Sequence, residues 1–158
     1  NLRQAVQHGD DLEARGSMLL AANMAGIAFS NALLGIVHAM AHPCGGRFGV
    51  PHGVANSILL PFGMEYNLPG CAGRLAEVAA ALGVDTAGMD DDAAAAAGIE
   101  AVRRLARDCG LPTRLSQVGV PRAGLAQMAV DSQGDAMMMT NPVYAGEEEV
   151  LALYERAY

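Results

Sequence analysis

The pattern of apolar and polar positions along the chain predicts helices, and no segment has the character of a convincing strand. Proline, glycine and aspartate clusters mark the ends of the apolar segments. Residues 131–146 lack such a pattern and are predicted to form a loop. The predicted helices cover residues 2–7, about 12–31, 36–43 with an end at Gly45-Gly46, about 52–67, 71–82, about 93–108, about 122–130 and 147–158.

The second of these helices is apolar nearly all round, which predicts that it is buried. It belongs to a stretch of 25 residues without charge, from Ser17 to Ala41, and that length raises the question of a membrane span. Polar residues and glycine interrupt the stretch, and no basic flank follows it closely. We therefore expect a buried pair of helices and no membrane partner.

Composition supports one helical domain. The chain has 158 residues, enough for one ordinary domain with a sizeable core, and 52% of them are apolar against 17% charged. Tryptophan is absent and aromatic residues reach only 4%, which favours closely packed helices over a sheet. We predict an all-α helical bundle that forms a single domain over residues 1–158.

Charge and cysteine content exclude two classes of function. The net charge is −7, and the ten basic residues are dispersed, so that nucleic acid is a poor partner. Cys44, Cys71 and Cys109 are an odd number without CxxC spacing, which indicates neither a disulfide framework nor a zinc knuckle. A reducing cytoplasmic location fits best, and Cys44 is expected to be a small packing residue.

Three of the four histidines lie within fifteen residues. His38 and His42 are four apart, so a helix places them on one face. His52 follows directly after Pro51, where a helix is predicted to begin. Two imidazoles on one helix that face a third at a helix start can close on iron, zinc, copper or nickel.

The residues alone leave two interpretations open. A single histidine is by default a satisfied core or surface residue, and the domain could then be a non-catalytic scaffold or oligomerisation domain with structural histidines. The clustering weakens that interpretation, because burying polar rings costs several kcal/mol unless they are paired or bound. A metal site is incomplete here, however, because no carboxylate lies between Gly16 and Glu65.

A series of short motifs resembles the C-terminal helical domain of the iron-containing (group III) alcohol dehydrogenases, which have a dehydroquinate synthase-like fold. The resemblance covers essentially the whole chain, and its histidine motif is highly specific. The motifs are Ala25–Asn31, Gly35–Pro43, Pro51–Asn56, Leu60-Pro61, more loosely Met64–Asn67, then Gly110–Leu115 and Thr140-Asn141-Pro142 before a last helix that starts with glutamates.

The resemblance implies roles for the histidines. Enzymes of this family hold a divalent metal, usually iron, through one Asp and three His, in a cleft between this helical domain and an N-terminal domain that binds NAD(P). By position, His38 and His52 match two of the metal ligands. His42 matches a histidine that points into the active site near nicotinamide and substrate, so it is expected to act in catalysis and at the cofactor rather than as a ligand.

The resemblance also implies a reaction and a substrate pocket. The reaction is oxidation of a small alcohol, or reduction of an aldehyde, with hydride transfer to or from the nicotinamide and with iron, zinc or another divalent ion as Lewis acid. Phe29 matches a position that lines the pocket, and the loop from Met137 to Asn141 is expected near it. A homo-oligomer is expected. Separately, apolar surface exposed where the N-terminal domain would dock is expected to drive self-association as a property of the isolated chain.

One departure from the family pattern limits these implications. No DxxxH segment and no glycine-rich nucleotide-binding loop occurs in the 158 residues. The chain is therefore expected to carry half of a metal site and to lack the N-terminal nucleotide-binding domain. On its own it should be inactive with NAD(H) and should retain metal weakly.

Overall fold

The structure, a computed structural model, describes all residues from Asn1 to Tyr158, and its regular elements are helices only. The predicted all-α fold is therefore confirmed. The α-helices are α1 (Leu2–Gln7), α2 (Leu12–Ala32), α3 (Ile36–Phe48), α4 (His52–Ala81), α5 (Asp91–Asp108), α6 (Leu125–Gln133) and α7 (Glu147–Ala157), with short 3-10 helices at Leu115–Val118, Arg122–Gly124 and Ala136–Thr140.

Local sequence signals explain where several helices begin. The carboxylate of Asp11 accepts hydrogen bonds from the backbone N–H groups of Glu13 and Ala14 and so caps α2. Asp90 caps α5 in the same way. Helix α4 begins at His52, directly after Pro51, as predicted. These starts depend on contacts within a few residues, which is why the sequence predicts them.

Helix α3 is longer than predicted. It continues through the two glycines at which an end was expected and stops at Phe48, because the left-handed residue that closes it is Gly49, with φ of 67°. The N–H of Gly49 donates to the carbonyl of Gly45, and the N–H of Val50 donates to the carbonyl of Cys44. Glycine adopts this conformation without the Cβ penalty, so the helix ends where that closure forms.

Helix α4 contains a break where two helices were predicted. The backbone of Cys71 leaves the helical region, with φ of −153° and ψ of 28°, one residue after the predicted boundary at residues 68–70. Pro69 precedes the break and has no N–H with which to continue the helical hydrogen bonding. The helix therefore consists of a long first part and a shorter second part that meet at a kink.

The hydrophobic core lies between α3, α4, α6 and α7. Cys44 is fully buried in it, as expected for a packing residue. Helix α5 lies outside this core and packs closely along α4, where Gly98 approaches Ala79. The largest fully buried side chains are Tyr154, Ile36, Met40, Ile58, Leu59, Ile99, Leu115, Leu125, Met128 and Val150.

Helix α2 is exposed, so the prediction of a buried helix is wrong. Ala14 is its only buried residue, whereas Leu19 is 75% and Met24 61% exposed. The apolar composition of a helix indicates that its surface would gain free energy from burial, but burial requires another element that packs against it. Only α1 packs extensively against α2 in this chain. No single helix is long and apolar enough to cross a membrane; α2 and α3 meet that criterion only together, and they are bent by 108°.

Candidate functional site

The fold brings His38, His42 and His52 together. The ring centroids of His38 and His52 are 5.3 Å apart, those of His42 and His52 are 5.6 Å apart, and those of His38 and His42 are 6.2 Å apart. The first two residues lie one turn apart on α3, and the third is the first residue of α4. The closure of α3 at Gly49 turns the chain so that the start of α4 lies beside the histidine face.

The three rings differ in exposure. His38 is half-buried, whereas His42 and His52 are exposed. Burial, followed by the positive charge that His52 and His42 can carry, lowers the pKa of His38 below its ordinary value. The neutral imidazole is therefore favoured at His38, and neutral imidazole is the form that binds a metal ion.

The pair of His38 and His52 fits a divalent ion better than the pair of His42 and His52. Two imidazoles that share an ion, each with a bond of about 2.1 Å, have centroids roughly 5 Å apart, and the first pair meets that separation at 5.3 Å. The rings of the second pair are stacked, with an interplanar angle of 23°. No group of three or more His, Cys, Asp or Glu side chains in the chain has the geometry of a metal site.

Asn56 gives the neighbourhood of His52 an unusual polar atom. The side-chain nitrogen of Asn56 lies 3.1 Å from Nε2 of His52 and donates to the His52 carbonyl over 3.0 Å. The side-chain oxygen Oδ1 of Asn56 is buried and has no hydrogen-bond partner. Buried polar atoms are normally paired, so an orphan beside a cluster of imidazoles is compatible with a site that binds a polar or charged group.

The structure adds a carboxylate to this site that the sequence did not reveal. Oδ2 of Asp135 lies 2.5 Å from Nδ1 of His42. Burial raises the pKa of Asp135, but the hydrogen bonds from His42 and from the N–H of Met137 outweigh it and hold that pKa below its ordinary value. Asp135 is 93 residues from His42 in a segment predicted to be a loop, so no local spacing linked them.

That segment is more ordered than predicted. Helix α6 extends to Gln133, and residues 136–140 form a 3-10 helix instead of loop. Asp135 caps this 3-10 helix, because its Oδ1 accepts from the N–H of Met137 over 2.8 Å. An aspartate directly before a helical turn is the signal that could have identified the cap.

The predicted pocket residues lie in different surroundings. The backbone N–H of Met137 donates to the same carboxylate of Asp135 that contacts His42. The amide of Asn141 is fully engaged: its oxygen accepts from the N–H of Ile36 and from Asn67, and its nitrogen donates to Asn67 and to the carbonyl of Val143. Asn141 therefore holds the segment after the 3-10 helix against the start of α3 and the middle of α4.

Phe29, the third predicted pocket residue, lies on a different helix from the histidines. It lies on α2, its side chain is 47% exposed, and it forms no aromatic pair with the three rings. An apolar cavity of about 400 Å³ between α3, α4 and α5 does contact the cluster, and Val37, His38, Asn56, Leu60 and Leu105 are among its lining residues. None of the three predicted pocket residues lines this cavity.

The chain is similar in sequence to known proteins over essentially its whole length. The sequence profile described as the Fe-containing alcohol dehydrogenase family, C-terminal, matches residues 1–158. The chain is 42% identical over 158 residues to 1,3-propanediol dehydrogenase from Klebsiella pneumoniae, a match that covers 100% of this chain and 41% of that protein. It is 40% identical over 148 residues to lactaldehyde reductase from Escherichia coli K12, covering 94% of this chain and 39% of that protein.

The fold of the chain is also similar to that of a solved structure. The crystal structure of a 1,3-propanediol oxidoreductase superposes with a TM-score of 0.98 at 41% identity, and the match covers 100% of this chain and 41% of that one. The chain thus spans about two fifths of the length of the relatives that it matches. A family profile that matches every residue, together with this fold, shows that the chain belongs to the iron-containing alcohol dehydrogenase family and corresponds to its C-terminal part.

Proposed function

We propose that this chain is the metal-binding helical part of an NAD(P)-dependent, iron-dependent alcohol dehydrogenase or aldehyde reductase that acts on a small alcohol or aldehyde. The observation that carries the proposal is the convergence of His38 and His52 at 5.3 Å, with His42 beside them but paired to a carboxylate. The relatives named for propanediol and lactaldehyde support a small hydroxyl or carbonyl substrate.

His38 and His52 are the proposed ligands of Fe²⁺, or of Zn²⁺ or another divalent ion. The lowered pKa of His38 favours the neutral form that this role needs. When bound, the ion supplies Lewis-acid polarisation of the alcohol or aldehyde oxygen. Two imidazoles are fewer than the three or four protein ligands of most such sites, so the remaining ligands and the NAD(P) site are proposed to lie outside these 158 residues.

His42 is the proposed catalytic histidine. Its Nδ1 is engaged by Asp135, so the ring is held without a metal. In this role it orients the substrate or relays a proton close to the nicotinamide. Phe29, Met137 and Asn141 are proposed to shape the substrate pocket, and for Asn141 the structure supports an indirect contribution, because its amide is used entirely in fixing the backbone.

Metal content separates the proposed ligands from the proposed catalytic residue. In a polypeptide that also carries the nucleotide-binding domain, His52→Ala should lose bound iron and dehydrogenase activity together. His42→Ala should lose activity and keep the metal. His8→Ala, at the exposed fourth histidine, is the matched control and should change neither. Equal loss of metal in the His42 and His52 variants would restore a site with three histidine ligands.

The 158-residue chain alone gives a second test. It should show no NAD(H)-linked turnover and should lose iron on dialysis, since two imidazoles without a carboxylate bind weakly. Stoichiometric iron after dialysis would contradict the proposed ligand count. Unchanged metal content and activity in both the His38→Ala and His52→Ala variants of the longer polypeptide would favour the alternative, a helical scaffold with structural histidines.

A further inference from the structure

We propose that Asp135 is a positioning residue that holds His42 in one tautomer, with the proton on Nδ1, and ties the orientation of this ring to the segment that carries Met137. The catalytic meaning of this pairing rests on the proposed function, in which His42 acts on a proton near the substrate. The pairing itself rests only on the geometry of this chain.

The two oxygens of the Asp135 carboxylate have different partners. Oδ2 lies 2.5 Å from Nδ1 of His42, and Oδ1 accepts the N–H of Met137 over 2.8 Å. The side chain of Asp135 is only 18% exposed, whereas that of His42 is 42% exposed. The carboxylate is thus the shielded partner, and the imidazole extends from it toward solvent and the other two rings.

This arrangement determines where the imidazole proton lies. An ionised carboxylate has no proton to donate, so a short contact between Asp135 and a neutral His42 places the proton on Nδ1. Nε2 then keeps its lone pair, and it makes no hydrogen bond within the chain. A nitrogen in that state can accept the proton of an alcohol during oxidation, which a protonated Nε2 cannot do.

The same carboxylate links His42 to the predicted pocket segment. Beyond the cap on Met137, the segment is fixed to the start of α3, because Thr140 donates to the carbonyl of Leu34 over 2.5 Å and Asn141 accepts from the N–H of Ile36. The residues that precede and follow the 3-10 helix are therefore both attached to α3, the helix that carries His42. A displacement of Asp135 would alter the ring and the pocket segment together.

Asp135→Asn separates these two contributions. An amide has one acceptor and one donor, whereas the native side chain accepts at both oxygens. If the amide oxygen keeps the cap on Met137, the amide nitrogen faces Nδ1 of His42 and forces the proton onto Nε2. The substitution therefore keeps the shape of the site and reverses the tautomer. Asp131→Asn, four residues away on α6, is the matched control because Asp131 pairs with Arg47 and Gln127 rather than with a histidine.

The direct test is NMR on the metal-free 158-residue chain labelled with ¹⁵N-histidine, at about pH 8.5, above the ordinary pKa of about 6.5 for a free imidazole. We expect Nδ1 of His42 to have the chemical shift of a protonated nitrogen and Nε2 that of an unprotonated one. In Asp135→Asn the two shifts should exchange, and in Asp131→Asn they should stay as in the wild type. A wild-type His42 with the proton on Nε2, or with rapidly averaged tautomers, would overturn the proposal without the need for any variant.

Kinetics in a polypeptide that carries the nucleotide-binding domain test the catalytic meaning. Asp135→Asn should lower kcat by about 10- to 100-fold, as is typical when a group that orients an active-site residue is removed, with metal content unchanged. Asp131→Asn should leave kcat unchanged. Equal losses of kcat in both variants would show a merely structural role and overturn the proposal. A wild-type protein without any dehydrogenase activity would instead refute the proposed function, and the tautomer measurement would remain decisive for the pairing.

Discussion

The hydroxyl of Tyr154 lies 2.6 Å from the backbone carbonyl of Met40 and donates a hydrogen bond to it. Met40 lies on α3 between His38 and His42, and Tyr154 is a fully buried residue of α7. The last helix of the chain thus holds the helix that presents the two histidines. Burial strongly raises the pKa of Tyr154, so the phenol keeps its proton and remains a donor throughout the physiological range.

Tyr154→Phe should destabilise the fold by about 1–2 kcal/mol, because it removes a buried hydrogen-bond donor and leaves the ring in place. Chemical denaturation followed by circular dichroism measures the change in the free energy of unfolding. Tyr144→Phe is the control, since Tyr144 is 88% exposed, and it should change stability by less than about 0.5 kcal/mol. Equal stability of the two variants would show that the contact with Met40 contributes nothing.

The close approach of α4 and α5 predicts a second change in stability. A Cβ atom on Gly98 would lie 2.7 Å from the Cβ and 3.1 Å from the Cα of Ala79, so Gly98→Ala requires the helices to move apart. We expect a loss of about 1–3 kcal/mol, as for other overpacked sites. Gly16→Ala on α2 is the matched control because nothing lies within 4 Å of its Cβ position, and it should stabilise the helix by up to about 1 kcal/mol. A gain in stability for both variants would contradict the close contact between Gly98 and Ala79.

Features set by neighbouring residues could be predicted from the sequence. The caps at Asp11 and Asp90, the helix start at His52 and the meeting of three imidazoles follow from spacings of a few residues around short turns. The exposure of Leu19 on α2 could not be predicted from the sequence. Burial depends on whether another element covers the helix, and apolar composition does not reveal whether such an element exists.

The carboxylate partner of His42 could not be predicted from the sequence either. Asp135 is separated from it by 93 residues, and the contact exists only because α6 packs against α3 and ends beside the histidine face. Asn141 shows the same limitation in another form, since the resemblance places it at the pocket but only the structure shows that Ile36 and Asn67 use its amide. Long-range pairing of polar groups follows from tertiary packing, which local patterns do not encode.

Cys44 should be protected from thiol reagents in the folded chain. It is fully buried, and burial raises the pKa of its thiol to about 12, so almost no thiolate is present at neutral pH. Titration of the native chain with a chromogenic disulfide should modify Cys71 and Cys109, which are partly exposed, and leave Cys44 unmodified. In denaturant all three thiols should react. Rapid modification of Cys44 in the native chain would show that its part of α3 opens readily.

The ion pair that joins α3 to α6 should make stability depend on pH. Arg47 contacts the carboxylate of Asp131 through Nε and, over 2.9 Å, through Nη2. The hydrogen bond from Arg47 is the largest cause that holds the pKa of Asp131 below its ordinary value. A carboxyl with a lower pKa in the folded state stabilises the fold above its unfolded pKa, which is about 3.9, and that contribution disappears as pH falls through the folded pKa.

Arg47→Gln should therefore be less stable than the wild type at neutral pH. The difference between them should begin to shrink as the pH falls below about 4 and should disappear only below the lowered pKa of Asp131 in the folded wild type, where this carboxyl is protonated in both proteins. NMR titration of the Asp131 carboxyl should show its pKa rising toward the ordinary value in the variant, because the hydrogen bond that lowers it is gone. Arg74→Gln is the control, at an exposed arginine that forms no ion pair. It should change neither the pH dependence of stability nor the pKa of Asp131. A stability difference between Arg47→Gln and the wild type that persists undiminished at acidic pH would mean that Arg47 stabilises the fold through packing rather than through its charge.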